Sequence, residues 1–223
     1  MSEACIYFVP TPIGNLGDIT IRALDILKRV DVILAEDTRN SGKLLKHYEI
    51  STPMQSFHAH NEHKKTQQVI LEAKQGRAFA LISDAGSPGI SDPGFLLART
   101  AVEEGVGIAS LPGATAFIPA LVQSGFPTDR FVYEGFLPHK KGRKSRLELI
   151  RNEERTVVLY ESPHRILKLL EQLVEMMPQR KVSVSREISK KFEETIVGMP
   201  EQVLQHFQSN SPRGEFVVVL SSV

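Results

Sequence analysis

A regular alternation of short apolar runs with segments of helical periodicity restricts this chain to few folds. Residues 5–9, 31–35 and 78–82 are apolar runs of strand length, and the segments between them carry apolar side chains every three or four residues. Strands that alternate with helices favour an α/β fold with substantial parallel pairing. The alternation resumes after a cluster of turn residues at 124–129. We therefore predict two α/β domains, residues 1–126 and 127–223.

Composition excludes several classes of protein. Cys5 is the only cysteine, so neither an intramolecular disulfide nor a cysteine-based zinc site is expected. No signal-peptide pattern and no apolar run of membrane length occurs, which together with the cysteine content predicts a cytoplasmic protein without a membrane partner. The 27 Lys and Arg residues nearly balance 26 Asp and Glu residues. Global charge therefore does not indicate a nucleic-acid partner, although such footprints are local.

Three loops rich in glycine and proline, at 10–18, 83–94 and 112–115, each follow a predicted strand. Open α/β sheets bind ligands at the carboxyl ends of their strands. Any one of these loops is explained equally well as a simple turn that caps the next helix. Three such loops in one domain favour a ligand pocket. The sequence contains neither G-x-G-x-x-G nor a Walker loop, so nothing in it requires a nucleoside triphosphate.

Charged residues follow two further predicted strands. Glu36, Asp37 and Arg39 come after the run 31–35, and the segment 160–165 reads YESPHR. The structural alternative is a pair of helix N-termini with favourable charges and a Ser-Pro cap. His58, His60 and His63 have a spacing that could hold a metal, but the sequence does not identify an acid to complete the site, so we predict no metal.

Basic residues concentrate in the second half of the chain. The first cluster contains Lys140, Lys141, Arg143, Lys144, Arg146 and Arg151, and the second contains Arg180, Lys181, Arg186, Lys190 and Lys191. A solvated helix surface is the usual explanation of such runs. Two clusters in one domain also indicate contact with a phosphate backbone.

Eight ordered motifs carry a family resemblance. They are PTPIGNLGDIT, AEDTRNSGKLL, LISDAGSPGISDPGF, LPGATAFIPALVQSGFP, YEGFLP, YESPHR, SREISKKFEE and RGEFVVVL. Together they span about Ile6 to Leu220 and resemble the tetrapyrrole methylase superfamily. Within it the series is similar to the branch that methylates the ribose 2′-oxygen of a decoding-centre cytidine in bacterial 16S ribosomal RNA.

The resemblance implies a homodimer of two-domain α/β subunits, with S-adenosylmethionine bound in the cleft between the domains and ribosomal RNA or the small ribosomal subunit as partner. It assigns the cofactor to Pro12, Gly14, Asp84, Ala85, Gly86, Ser87, Ile90, Ser91, Gly113, Ala114, Thr115, Tyr160 and Glu161. We expect Lys140, Lys141, Arg143, Lys144 and Arg146 to face the RNA. Many members carry a further small C-terminal domain, so RNA contacts made by that extension are not expected here.

Methyl transfer to a ribose hydroxyl depends mainly on positioning, with help from a base or from a cation that stabilises the developing oxyanion. Asp37 and Glu161 are the candidates for the base, and Arg39 and Arg165 are the candidates for the cation. Two alternatives stay open: methylation of a tetrapyrrole or other small metabolite, and a ligand-binding relative without catalysis.

Overall fold

The computed structural model describes residues 5–209 and 212–222. Its backbone contacts divide the chain into two units, Met1–Thr115 and Ala116–Val223. Each unit is built on one five-stranded sheet. Among the described residues, no helix combines the length and the apolar character that crossing a membrane requires.

The first unit is a parallel sheet in the order β3-β2-β4-β1-β5. Its strands are β1 (Ile6–Phe8), β2 (Val32–Ala35), β3 (Met54–Ser56), β4 (Phe79–Ile82) and β5 (Ile108–Ser110). Its helices are α1 (Ile21–Arg29), α2 (Thr38–His47), α3 (Glu62–Lys74) and α4 (Phe95–Glu103). Successive strand residues belong to two separate cores, because side chains alternate across a sheet. Helices α3 and α4 contribute to one core, and α1 and α2 contribute to the other.

The topology of this sheet selects its ligand-binding edge. Strand β1 lies between β4 and β5, and β4 lies between β1 and β2. After β1 the chain continues to β2 on one side, and after β4 it continues to β5 on the other side. The connections that leave these two neighbouring strands therefore run in opposite directions across the sheet. Ligands of open α/β sheets bind outside the carboxyl ends of the strands at such a point.

The second unit is a mixed sheet in the order β6-β7-β10-β8-β9. Its strands are β6 (Phe131–Phe136), β7 (Thr156–Glu161), β8 (Val182–Arg186), β9 (Glu194–Gly198) and β10 (Phe216–Leu220), and its helices are α5 (Phe117–Gln123), α6 (Arg143–Arg151), α7 (Ile166–Met176) and α8 (Pro200–Ser209). Only the β6 and β7 pair is parallel among these described strands. Helices α6, α7 and α8 share one core with alternate residues of the strands.

These observations confirm the predicted α/β fold class and add two differences. The expected parallel pairing holds throughout the first sheet, but in the second sheet it holds for one pair only. Strands β8 and β9 are joined without a helix and pair antiparallel, and β10, which follows α8, lies between β7 and β8 and runs antiparallel to both. The boundary between the units falls after Thr115, whereas the sequence placed it at residue 126. The reason is helix α5, which contacts β7 and β10 of the second unit.

Candidate functional site

The three glycine-rich loops meet at the carboxyl edge of the first sheet. Thr11 of the first loop and Gly86 of the second form an antiparallel bridge, with N–H to O distances of 2.9 Å in both directions. The Ser87 hydroxyl donates to the carbonyl oxygen of Ala114 in the third loop at 3.2 Å. Hydrogen bonds therefore fix the loops that follow β4, β1 and β5 against one another.

Glycine is required where these loops approach most closely. A Cβ atom on Gly113 would lie 2.7 Å from the Cβ of Pro10, well inside van der Waals contact. Gly86 has a φ of +79°, and a Cβ there would lie 3.6 Å from the Cγ2 of Ile13. The absence of these side chains leaves backbone groups free to face a ligand.

The cofactor-binding residues predicted in the first unit are therefore gathered at one edge. Gly14, Asp84, Ile90, Ser91 and Gly113 are exposed there, and Pro12, Ala85, Ser87, Ala114 and Thr115 are partly exposed. Gly86 is buried, so we infer that it shapes the loop. Tyr160 and Glu161 lie at the end of β7 in the second unit.

Asp84 is the centre of an acidic cluster that extends this edge towards β2. Its carboxylate accepts hydrogen bonds from the backbone N–H of Asp37 and from the side chain of Asn40, both at 3.2 Å. Burial raises the pKa of the Glu36 carboxyl above its ordinary value of 4.5, and the neighbouring charge of Asp84 adds to the effect. The sequence placed Glu36 beside Asp37 after a predicted strand, but Glu36 was not among the candidates for the base.

Asp37 and Arg39 form a pair at the start of α2. The Asp37 carboxylate accepts from the backbone N–H of Arg39 and from its guanidinium, each at 2.8 Å, and thereby caps the helix. The side-chain hydrogen bond from Arg39 lowers the pKa of Asp37 to about 2. This placement supports the structural alternative for Asp37 and leaves it a poor proton acceptor.

Glu161 is enclosed by two arginines. Arg165 Nη2 lies 2.7 Å from one carboxylate oxygen, and both terminal nitrogens of Arg143 lie 3.2 Å from the other. The Glu161 side chain is 0% exposed, and the backbone N–H of Ser162 also donates to it at 2.9 Å. The structure therefore argues against Glu161 both as a general base and as a direct cofactor contact, since neither a substrate hydroxyl nor the cofactor can reach either oxygen.

Arg143 requires a correction. We predicted that it faces RNA, but its side chain is buried against Glu161 and Gln172. Arg146 is exposed and paired with Glu134. Lys140, Lys141 and Lys144 are exposed, and none of the described residues forms an ion pair with them. The basic surface of this segment thus consists mainly of three lysines.

The second basic cluster is largely neutralised inside its own unit. Arg186 pairs with Glu194 at 2.7 Å, and Lys190 pairs with Glu187 at 2.8 Å. Arg180 is buried and donates to three backbone carbonyls. These three side chains stabilise the fold. Lys181 and Lys191 are exposed, and no described residue forms an ion pair with them, so two lysines of the second cluster keep free positive charge.

The three histidines do not form a metal centre. Within the described ranges, no group of three or more His, Cys, Asp or Glu side chains could hold a metal ion. His58 Nε2 lies 3.3 Å from the side-chain nitrogen of Asn61, whose oxygen accepts from the His58 backbone N–H at 2.9 Å. This contact places His58 in the turn that begins α3.

Fold and site together define an α/β protein with a loop-built ligand edge, and comparisons with known proteins identify its family. The signature described as Tetrapyrrole (Corrin/Porphyrin) Methylases matches residues 5–203. A Synechocystis protein called Ribosomal RNA small subunit methyltransferase I is 47% identical over 97% of this chain and 78% of its own length. A Thermotoga maritima protein of the same name is 43% identical over 97% of both chains. The chain therefore belongs to the tetrapyrrole methylase family, which confirms the resemblance found in the motifs.

Solved structures agree on the fold. Diphthine synthase has a TM-score of 0.76 at 13% identity, over 97% of this chain and 89% of its own. The uroporphyrin-III-C-methyltransferase of Thermus thermophilus has a TM-score of 0.65 at 21% identity, over 96% and 93% of the two chains. At these identities the likeness concerns architecture alone.

Proposed function

We propose that this protein is an S-adenosylmethionine-dependent methyltransferase acting on 16S ribosomal RNA, and that its target is the ribose 2′-oxygen of a cytidine in the decoding centre. The observation that carries the proposal is the name shared by relatives that are 42–48% identical over nearly the whole chain. The finer choice of atom and nucleotide rests on the branch that the eight motifs resemble. A homodimer belongs to the same proposal and is testable by sedimentation equilibrium.

The residues at the carboxyl edge of the first sheet fit this cofactor. S-adenosylmethionine would supply a methyl group on a positively charged sulfur, together with an amino-acid end and an adenine. Glycine positions such as Gly113 bring backbone donors close enough for a carboxylate. The exposed carboxylate of Asp84 suits a cationic group, and the side chain of Ile90, 41% exposed, offers an apolar surface. Asp84 is held in place by Asp37 and Asn40 before any ligand arrives.

The structure changes the candidate for the proton acceptor. Glu161 is enclosed, and Asp37 with a pKa of about 2 binds a proton too weakly. Glu36 is half-buried beside Asp84, and burial raises its pKa above the ordinary value, which makes it a better proton acceptor than Asp37. We therefore propose Glu36 as the base that accepts the proton of the ribose hydroxyl.

Mapping of 2′-O-methyl groups on 16S ribosomal RNA, with and without this protein, tests target and chemistry together. We expect purified small ribosomal subunits to gain one mark at a decoding-centre cytidine. Methylation of a base, or of a different ribose, would refute the finer proposal. Cofactor turnover confined to a small metabolite would refute the ribosomal substrate, and cofactor binding without transfer to any RNA fraction would indicate a non-catalytic relative.

Calorimetry of cofactor binding tests the site. Asp84→Asn keeps the shape of the side chain and removes its charge, and we expect it to weaken S-adenosylmethionine binding by about tenfold or more, as for a lost charged hydrogen bond. Glu103→Ala is the matched control, because Glu103 is an exposed acid on α4 of the same unit. Equal affinity of both variants and the wild type would place the cofactor elsewhere.

A further inference from the structure

We propose that Glu161 is a positioning residue that holds the basic turn, residues 139–142, in the orientation in which Lys140 and Lys141 contact the phosphates of the RNA. This inference rests on the proposed ribosomal substrate. It gives the buried carboxylate a role other than that of a catalytic base. Two arginines connect Glu161 to the backbone that follows β6.

Glu161 orients two guanidinium groups at once. Its Oε2 accepts from Nη1 and Nη2 of Arg143, and its Oε1 lies 2.7 Å from Nη2 of Arg165. The side chains of the two arginines are 5% and 16% exposed. Buried guanidiniums need acceptors, because an unpaired buried charge is costly. The carboxylate therefore decides where both arginines can lie.

Each arginine in turn binds the chain just before the basic turn. Arg165 Nη1 donates to the carbonyl oxygen of Leu137 at 3.0 Å, and Arg143 Nη1 lies 3.4 Å from that of Pro138. Two consecutive carbonyls after β6 are thus fixed through Glu161. The chain enters the turn from a position set by these bonds.

The other end of the turn is fixed by Arg143 itself. Its backbone N–H donates to the carbonyl oxygen of Lys140 at 3.3 Å, and Gly142 before it has a φ of +86°, which only glycine adopts readily. The Nε of Arg143 donates to Gln172 of α7 at 2.9 Å. The turn is therefore short and held at both ends, while Lys140 and Lys141 within it are exposed.

The expected effect appears in the salt dependence of RNA binding. Each phosphate contact contributes about 0.7–0.9 to the slope of log affinity against log salt. Two lysines therefore contribute about 1.4–1.8, which corresponds to about a 7–12-fold change in affinity when salt rises fourfold. Displacement of the turn removes part of this contribution without touching the cofactor.

The experiment compares the KM for small ribosomal subunits at 50 and 200 mM salt in the full-length protein, measured by transfer of labelled methyl groups. The salt ratio is the KM at 200 mM salt divided by the KM at 50 mM salt. The double variant Lys140→Ala, Lys141→Ala should lower this ratio by about 7–12-fold. Glu161→Gln should lower it by at least about threefold, which corresponds to half of the same slope. We expect kcat and the Kd for S-adenosylmethionine to change less than about twofold in both.

Glu153→Gln is the matched control. Glu153 is also paired with an arginine of the second unit, Arg155, at 2.7 Å, and it has no contact with the basic turn. We expect wild-type values of KM, kcat and the salt ratio. Should Glu161→Gln fail to fold, Gln172→Ala removes a neutral acceptor of Arg143 and should lower the ratio in the same direction.

Three results would overturn the inference. The first is a wild-type salt ratio in Glu161→Gln, or in Gln172→Ala, beside a lowered ratio in the lysine variant. The second is a fall in kcat at unchanged KM, which would mark Glu161 as a residue of the chemical step. The third is a wild-type ratio in the lysine variant itself. A wild-type protein that transfers no methyl group to ribosomal RNA would instead refute the proposed function, and the inference would fall with it.

Discussion

Gly113→Ala should lower the stability of the first unit and disturb its proposed cofactor site. The new Cβ would lie 2.7 Å from the Cβ of Pro10 and 3.0 Å from its Cγ. Carbon atoms in contact prefer about 3.5–4.0 Å, so the first and third loops must separate by about 0.8 Å. Pro10 is buried and its ring is fused to the backbone, so no flexible side chain can move aside. Overpacking of this kind costs about 1–3 kcal/mol.

Thermal unfolding and calorimetry measure the two effects. The penalty should lower the Tm by about 5–10 °C in a domain of this size. The separated loops should also weaken S-adenosylmethionine binding, because the donors of the third loop leave their positions. Gly42→Ala is the control: it lies within α2, and its Cβ would meet only the end of Met54 at 3.7 Å. That variant should be as stable as the wild type or more stable by about 0.5–1 kcal/mol. A Gly113→Ala protein with wild-type Tm and affinity would refute the close approach of the loops.

Three further predictions concern charged residues. The raised pKa of Glu36 means that the folded state favours the protonated carboxyl. The stabilising contribution of the protonated form is lost as pH rises above 4.5. Glu36→Gln should therefore raise the Tm at pH 7 and lower methyl transfer. The pKa of Asp37 is lowered to about 2, so its carboxylate stabilises the folded state above its ordinary pKa of 3.8. Denaturant titrations should show that the difference in free energy of unfolding between Asp37→Asn and the wild type vanishes as pH falls towards about 2. Arg180→Met leaves three backbone carbonyls without their donor, and we expect a loss of about 2–4 kcal/mol in the free energy of unfolding; an unchanged free energy would show that water replaces the guanidinium.

Periodicity predicted most of the fold, and its failures have physical causes. Strand β3 has the sequence Met-Gln-Ser and lies at the edge of the sheet, with each residue partly exposed. It carries neither an apolar run nor an apolar-polar alternation, so no pattern could reveal it. The mixed pairing of the second sheet was also hidden, because strand direction depends on connections and leaves no mark in a buried run such as Phe216–Leu220.

The sequence predicted the loops of the candidate site but not the roles of its individual acidic residues. Glycine and proline at the strand ends were sufficient to locate the three loops, because backbone conformation is encoded locally. The state of a carboxylate depends on neighbours that are distant in sequence. Glu36 is influenced by Asp84, 48 positions along the chain, and Glu161 at the end of strand β7 is enclosed in part by Arg143 of helix α6. Sequence alone could name these acids, but it could not show that Glu161 is inaccessible and that Glu36 has a raised pKa.

The second unit divides its positive charge by side-chain chemistry. Arg143, Arg165 and Arg180 are buried or nearly so, and each of them donates to backbone carbonyls. A planar guanidinium with five donors can satisfy several acceptors at once, which an ammonium group cannot. Lys140 and Lys141, by contrast, are exposed on flexible stems. The buried arginines thus stabilise the fold, and the exposed lysines supply the mobile positive charge. A count of basic residues therefore overstates the positive charge available to RNA. The near-neutral net charge of the chain is therefore compatible with a small, localised phosphate contact that the buried arginines orient.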